Sequence, residues 1–326
     1  MSDLLIRRRN LLIRKQEEEM NIRAVCFKAD GEQTVTIKQV NITSAKVFQY
    51  SYDGVTWESW DLTPLPFGGP TKVYVRGYNK TLGYSNTAYE YFSFSTDAYV
   101  YVSGVVESLL DGDNEVLTYG TQGILRQLFY QQTALRSAEN LRFEAQSTAS
   151  GIVSVYGLMF DGCTNLLYAP KVLPANDFKG EYDYQYMFRN CTSLITAPEL
   201  PATALGSKCY QYMFYGCTSL VNAPELPATT LSEECYQYMF FGCKSLVNAP
   251  ELPATITAGY CYNSMFYGCT SLKTVRCRAK VTAKKATLNW LNEVNTVGTF
   301  YGHAEYGWSS GASGIPTTWT FEELTD

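Results

Sequence analysis

Across residues 209–217, CYQYMFYGC, the apolar positions Cys209, Met213 and Cys217 recur at every fourth residue. A spacing of i, i+4 and i+8 predicts one face of a short helix. Gly216 permits the turn out of it. The stretch that follows, SLVNAPELP, reads as extended, because each proline disfavours helix in itself and in the residue before it. This unit of helix, turn and strand recurs along the chain. The dipeptide Met-Phe stands at Met159-Phe160, Met187-Phe188, Met213-Phe214, Met239-Phe240 and Met265-Phe266, at spacings of 28, 26, 26 and 26. Three residues after each Phe comes Cys163, Cys191, Cys217, Cys243 or Cys269, and three later Leu166, Leu194, Leu220, Leu246 or Leu272. Three copies continue as APELPAT from Ala197, Ala223 and Ala249. Leu128-Phe129 with Leu135 fits the same template with Gln132 in the Cys slot, which predicts an atypical first copy. One such unit cannot bury its apolar face alone; stacking the copies at about 4.8 Å per strand rung buries it against its neighbours.

Upstream the pattern changes to alternation. Ile22–Lys28, Gln33–Val40, Val47–Tyr52, Lys72–Tyr78, Tyr89–Phe94 and Tyr99–Val102 read as short strands, several half-buried. Asp53-Gly54 is a hairpin signal, and six short strands with turns between them predict a β-sandwich. Residues 2–20 read as a helix of about 28 Å. Leu4, Leu5, Leu11 and Leu12 recur at seven-residue spacing beside Arg7 and Arg8, a poor heptad but a serviceable anchor for a partner or a bundle. Downstream of Leu272 the repeat decays, and Trp290, Trp308 and Trp319 predict a closing cap. The expected class is therefore α+β. A helical anchor spans 1–21, a sandwich 22–103, a repeat solenoid 104–280 and a cap 281–326.

Composition narrows the chemistry. A formal net charge of −5 argues against a nucleic-acid-binding protein, and a single His argues against histidine catalysis and most zinc sites. No stretch approaches the ~20 apolar residues of a membrane span. Charge interrupts both apolar triplets of the N-terminal MSDLLIRRRNLLIRKQEEE, so no secretory signal is expected there. The 10 Cys invite a disulfide or metal reading, but no CxxC pair occurs and the residues repeat in rows, which predicts small hydrophobes in fixed core slots. No triad, phosphate loop or dinucleotide fingerprint stands out, and neither a catalytic residue nor a metal ligand nor a cofactor is expected.

Stacking turns each repeat position into a row. If Met and Phe are core, the residues one and two before Met and two after it should point outward. These are Tyr186, Tyr212 and Tyr238; Gln211 and Gln237, flanked by Gln185 and Asn263; and Tyr215, Phe241 and Tyr267. Aromatics beside amides make a surface suited to sugars or to protein interfaces. A further row is acidic, Glu199, Glu225 and Glu251; paired carboxylates of a glycanase are one reading of it, disfavoured because the residues recur rather than stand in a unique cleft.

The pattern Met-Phe-x-x-Cys-x-x-Leu followed by Leu-Pro resembles the BspA-like leucine-rich repeats of gut Bacteroidetes, their phages and some parasites. The likeness covers roughly residues 104–320, and YSYDGVTWESW with VYVRGYN resembles fibronectin-type or immunoglobulin-like modules. The first resemblance implies a right-handed solenoid that binds proteins, glycans or cell surfaces without catalysis. With the N-terminal pattern it leads to an expected virion fibre or attachment protein of a phage of gut Bacteroidetes, on the capsid or tail. Such a protein would bind a host-surface glycan or protein and hold another virion protein, or itself as a homo-oligomer such as a trimer, through the N-terminal helix. A bacterial cell-surface adhesin of the same family is the alternative.

Overall fold

The computed structural model describes residues 22–32, 34–42, 46–79, 82, 90–95, 98–111, 125–144, 154–175, 181–311 and 313–325. The expected anchor helix, with Leu4, Leu5, Arg7, Arg8, Leu11 and Leu12, lies outside these residues.

The N-terminal third of the described chain is two facing sheets. Strands β1 (Val25–Ala29), β3 (Phe48–Ser51), β4 (Glu58–Trp60), β6 (Val73–Gly77), β8 (Val100–Val105) and β9 (Leu135–Arg142) form one sheet in the order β4-β3-β6-β1-β8-β9. Strands β2 (Thr34–Val40), β5 (Leu65–Gly68) and β7 (Tyr91–Ser95) form the facing sheet, β5-β2-β7. Alternation places Phe27, Val35, Ile37, Phe48, Phe67, Phe92 and Phe94 between the sheets, all buried. Asp53 holds its turn by accepting from the Val55 and Thr56 amides at 2.8 and 2.7 Å.

The sandwich does not end where the repeats begin. β9 belongs to the first repeat, yet it pairs in parallel with β8 and bridges onward from Ser137 to Tyr168. Phe129 of that repeat packs on Phe27 of the sandwich at 6.3 Å and on Phe160 of the next repeat at 5.5 Å. Gln132 replaces the row cysteine because here the slot faces the sandwich: its Oε1 accepts from the Phe94 amide at 3.2 Å, while its Nε2 donates to the Tyr130 carbonyl at 2.8 Å.

The helix expected in each repeat is absent, and with it the α+β class. Among the described residues the only helical elements are one turn at Ser108–Asp111 and a 3-10 turn at Ala304–Tyr306; the fold is otherwise strands and turns. In the repeat at 208–217, alternate amides close turns within the rung: Gln211 to Lys208, Met213 to Tyr210, Tyr215 to Tyr212 and Cys217 to Phe214, at 3.1–3.2 Å. The amides between them donate to the next rung: Tyr210 to Cys235, Tyr212 to Gln237, Phe214 to Met239 and Gly216 to Phe241, at 2.8–3.0 Å. Every fourth residue is left-handed, Lys208 (φ 58°), Tyr212 (φ 58°) and Gly216 (φ 74°). A helix is 10–12 Å across and repeats every 3.6 residues. Rungs whose Phe rings stack 5.3–5.6 Å apart leave no room for one, and the pattern Cys209-Tyr210, Met213-Phe214, Cys217 has a strict four-residue period. A ladder of turns satisfies both.

On the other side of each rung the Leu-to-Pro stretch is extended, as expected. Through the three APELPAT copies it makes mostly isolated parallel bridges, such as Ala204 with Thr230 and Asn222 with Asn248, because proline offers no amide to a ladder. Regular pairing begins at the third copy, where the register shifts around Pro250: β10 (Asn248–Leu252), β11 (Thr274–Cys277), β12 (Thr299–Gly302) and β13 (Thr320–Glu323) make a parallel sheet in that order. The C-terminal segment therefore closes the stack by extending it. Trp290 caps Tyr262 at 6.2 Å, stacks on Trp308 at 5.8 Å, and donates its indole N–H to the Gly314 carbonyl at 2.8 Å. No helix among the described residues is long and apolar enough to cross a membrane.

Candidate functional site: the aromatic rows

The turn side of the solenoid carries two kinds of row. The inner ones are core. Tyr156, Tyr184, Tyr210, Tyr236 and Tyr262 stack in sequence 5.6–6.0 Å apart, and Phe160, Phe188, Phe214, Phe240 and Phe266 do the same beside them, all buried. The row cysteines fill the third slot, and each thiol donates back to a Phe carbonyl of the preceding rung, Cys217 to Phe188 and Cys243 to Phe214 at 3.1 Å. All ten cysteines are free and buried, as the sequence pattern suggested, and burial pushes the thiols of the repeat rows far up, so they present no thiolate.

The outer rows are the candidate surface. Tyr186, Tyr212 and Tyr238 stack at 4.8 and 4.6 Å; Tyr215, Phe241 and Tyr267 stack at 4.7 and 4.7 Å. The two rows touch at Tyr212–Tyr215, 5.7 Å, and Tyr238–Phe241, 5.9 Å. All six rings are half-buried. Within each row the facing rings cover one another, so between neighbours what remains outward is ring edge and hydroxyl. Arg189 closes one end of the first row, its guanidinium 4.6 Å from the Tyr186 ring and doubly bonded to Asp161 at 3.0 and 2.6 Å. At the other end Ser264, itself buried, replaces the tyrosine. Tyr267 donates its hydroxyl to Glu293. Burial, and after it the neighbouring Tyr238 and Tyr186 hydroxyls, push Tyr212 up to about 12, so its hydroxyl is neutral at any physiological pH.

The amide row is corrected. Gln185, Gln211 and Asn263 are buried and Gln237 is half-buried, not outward. They form a ladder: Gln185 donates to Gln211, Gln211 to Gln237, and Gln237 to Asn263 at 3.4 Å, with Gln211 also donating to Glu234 at 2.8 Å. Each amide supplies a donor and an acceptor, so identical residues one rung apart satisfy one another. Gln211 and Gln237 are therefore braces behind the tyrosines. The acidic row Glu199, Glu225 and Glu251 is exposed on the strand side, away from the aromatic rows. His303 sits in the cap, 3.7 Å from Glu323 and edge-on to Tyr306. Among the described residues no group of three His, Cys, Asp or Glu is placed to hold a metal ion.

One cluster carried no sequence signal. Glu107, fully buried just past β8, accepts from the Tyr156 hydroxyl at 2.7 Å and from the Glu144 amide at 3.0 Å, and Glu144 is bound to Arg23 at 2.6 Å. Asp183, buried beside Tyr184 in the following rung, is a second internal carboxyl. Burial raises both to about 7. Their neighbours come from distant parts of the chain, which is why no local motif marks them. Comparison of the chain with protein-family models, curated proteins and solved structures found no match in any of the three, and the functional reading rests on the geometry of these rows.

Proposed function

We propose that this chain is a non-enzymatic attachment protein, a fibre or attachment component of a virion infecting gut Bacteroidetes, whose solenoid docks its aromatic band on a host-surface protein or glycan. The observation that carries the reading is the pair of outer rows: six half-buried rings held in register over neighbouring rungs. Tyrosine edges with hydroxyls combine apolar area and hydrogen bonding at low entropic cost, since the rings are already fixed by stacking and by the amide ladder behind them. Because the faces between neighbouring rings are occupied, contact is made by edges and hydroxyls there, and a sugar does not insert between the rings. The virion assignment is supported by the likeness of the repeat to the BspA-like pattern.

The test removes only what points outward. Changing Tyr186, Tyr212, Tyr238, Tyr215 and Tyr267 together to Phe keeps every stack and deletes the hydroxyls. Binding of the labelled full chain to host cells should fall at least tenfold, about 1.4 kcal/mol, with the thermal midpoint near that of the wild type. Undiminished binding would remove this surface from the account.

A further inference from the structure

The strand side of the solenoid changes character at one rung. Over the three APELPAT rungs its outward positions are Ile195, Val221 and Val247 in one row, Glu199, Glu225 and Glu251 in the next, then prolines and threonines. In the following rung the equivalent positions are basic. The Lys273 amide bonds to the Val247 carbonyl, Arg276 is in register with Glu251, and the Lys280 amide bonds to the Thr255 carbonyl, with Arg278 between the last two. Lys284 and Lys285 continue the run at the corner, both exposed. Alternate residues of an extended strand share one side at about 7 Å intervals, which lines up Arg276, Arg278 and Lys280 as a bar across the face. Glu251 meets this bar, bonding Arg278 at 2.7 Å. Lys273, Lys280 and Lys284 make no ion pair among the described residues. On a chain of net charge −5, a rung with six cations is a local departure rather than an effect of composition.

We propose that this rung is a binding site for an acidic polysaccharide, a carboxylated or sulfated glycan chain lying along β11 and engaged by Lys273, Arg276, Arg278, Lys280 and Lys284. A linear array of cations suits an extended polyanion better than a compact anion. A single-stranded nucleic acid needs open aromatic faces on which bases stack. Here the Tyr301 face is covered by the Arg276 guanidinium at 4.0 Å, and the Lys285 ammonium lies 5.8 Å from the Tyr260 ring. The threonines at 255, 274 and 282 border the bar and supply hydroxyls of the kind that pair with sugars. The site is on the strand side of the rung and is independent of the aromatic rows.

The experiment titrates the full chain at low salt with polygalacturonate, dextran sulfate, neutral dextran and an oligothymidylate. Both anionic polysaccharides should bind, neutral dextran should not, and the oligonucleotide should bind more weakly than either polyanion. The triple variant Lys273→Ala, Lys280→Ala, Lys284→Ala removes exposed side chains that make no ion pair among the described residues, so its melting should match the wild type while its affinity for both polyanions drops about tenfold. The Tyr→Phe variant of the aromatic rows should bind them as the wild type does. Failure of the wild type to bind either polyanion, full binding by the triple variant, or tightest binding of the oligonucleotide would each overturn the proposal.

Discussion

Phe27 and Phe214 are both completely buried phenylalanines, and they are packed in opposite ways. Phe27, in the sandwich, meets Phe67, Phe92, Phe94 and Phe129 at interplanar angles from 51° to 72°. Phe214, in the solenoid, lies between Phe188 and Phe240 at 3° and 6°. In the sandwich, strands from separate parts of the chain bring unlike positions together, and most rings settle tilted or edge to face, with Trp60 stacked on Phe92 at 15° as the exception. In the solenoid, successive rungs are related by a shift along the stack, so each side chain finds its own equivalent above and below. Like-on-like contact is forced by the repeat, whether the residue is Phe, Tyr, Cys or Gln. The sandwich is thus a collective core, and the solenoid approximates a sum of neighbour interfaces.

The largest expected effect sharpens this contrast. Phe214→Ala removes two stacked faces and leaves a cavity, and should cost about 3–5 kcal/mol in chemical denaturation. Hydrogen exchange should report the loss in the flanking rungs, including the amides of Phe188 and Phe214, and leave the strands of the sandwich protected. Loss of protection spread evenly over both regions would break the distinction.

The junction between the regions should be sensitive to pH. Glu107 has a folded value of about 7 against 4.5 for the free side chain, and Asp183 about 7 against 3.8, in both cases chiefly through burial. The folded chain therefore keeps protons on these groups that the unfolded chain has released. Stability should fall as pH rises from about 4 to 7 and level off above that, by about 3 kcal/mol for Glu107 alone. Glu107→Gln keeps the Tyr156 contact without the charge and should flatten its share of the slope, read from denaturation midpoints across that range.

Smaller effects test the turn ladder. Gly242 (φ 71°) has open space where a Cβ would stand, so Gly242→Ala should cost only the left-handed penalty, about 1–2 kcal/mol. Gly216 (φ 74°) would place its Cβ 2.6 Å from the side-chain oxygen of Asn190, the free end of an exposed side chain that can swing aside, so Gly216→Ala should cost about the same. A loss well above about 3 kcal/mol for either, measured by chemical denaturation, would mean that the rungs do not sit in this register.

Much of this was legible in the sequence. The spacing of Met-Phe fixed the rungs, the Cys, Phe and outer Tyr rows followed from it, and Gln132 and the tryptophans marked the two ends; the buried row from Tyr156 to Tyr262, three residues before Met, was not read from it. The sandwich strands fall within a few residues of where alternation puts them, with β4 and β5 additional. The helix was misread because Cys209, Met213 and Cys217 fit a helix face and a ladder of four-residue turns equally well. The discriminating signal was the pairing of apolar neighbours, Cys209-Tyr210 and Met213-Phe214, in phase with Gly216, which a helix of 3.6 residues does not require. The same misreading turned Gln211 outward, when the turn brings it in behind Tyr212. Glu107 and Asp183 were illegible, since their burial is made by side chains and backbone far away in the chain.

The central claim is that the solenoid is a stack of interchangeable rungs joined by like-on-like contacts. Excising residues 210–235 joins Cys209 to Tyr236 and restores the sequence CYQYMF at the seam, removing one whole rung. Excising 210–234 instead leaves one residue too many in the joined rung. Thermal unfolding of the two shortened chains beside the full one is the most direct measurement. The account predicts a cooperative, modestly lowered transition for the first and loss of cooperative melting in the solenoid for the second. Equal tolerance of both deletions, or unfolding of both, would contradict it.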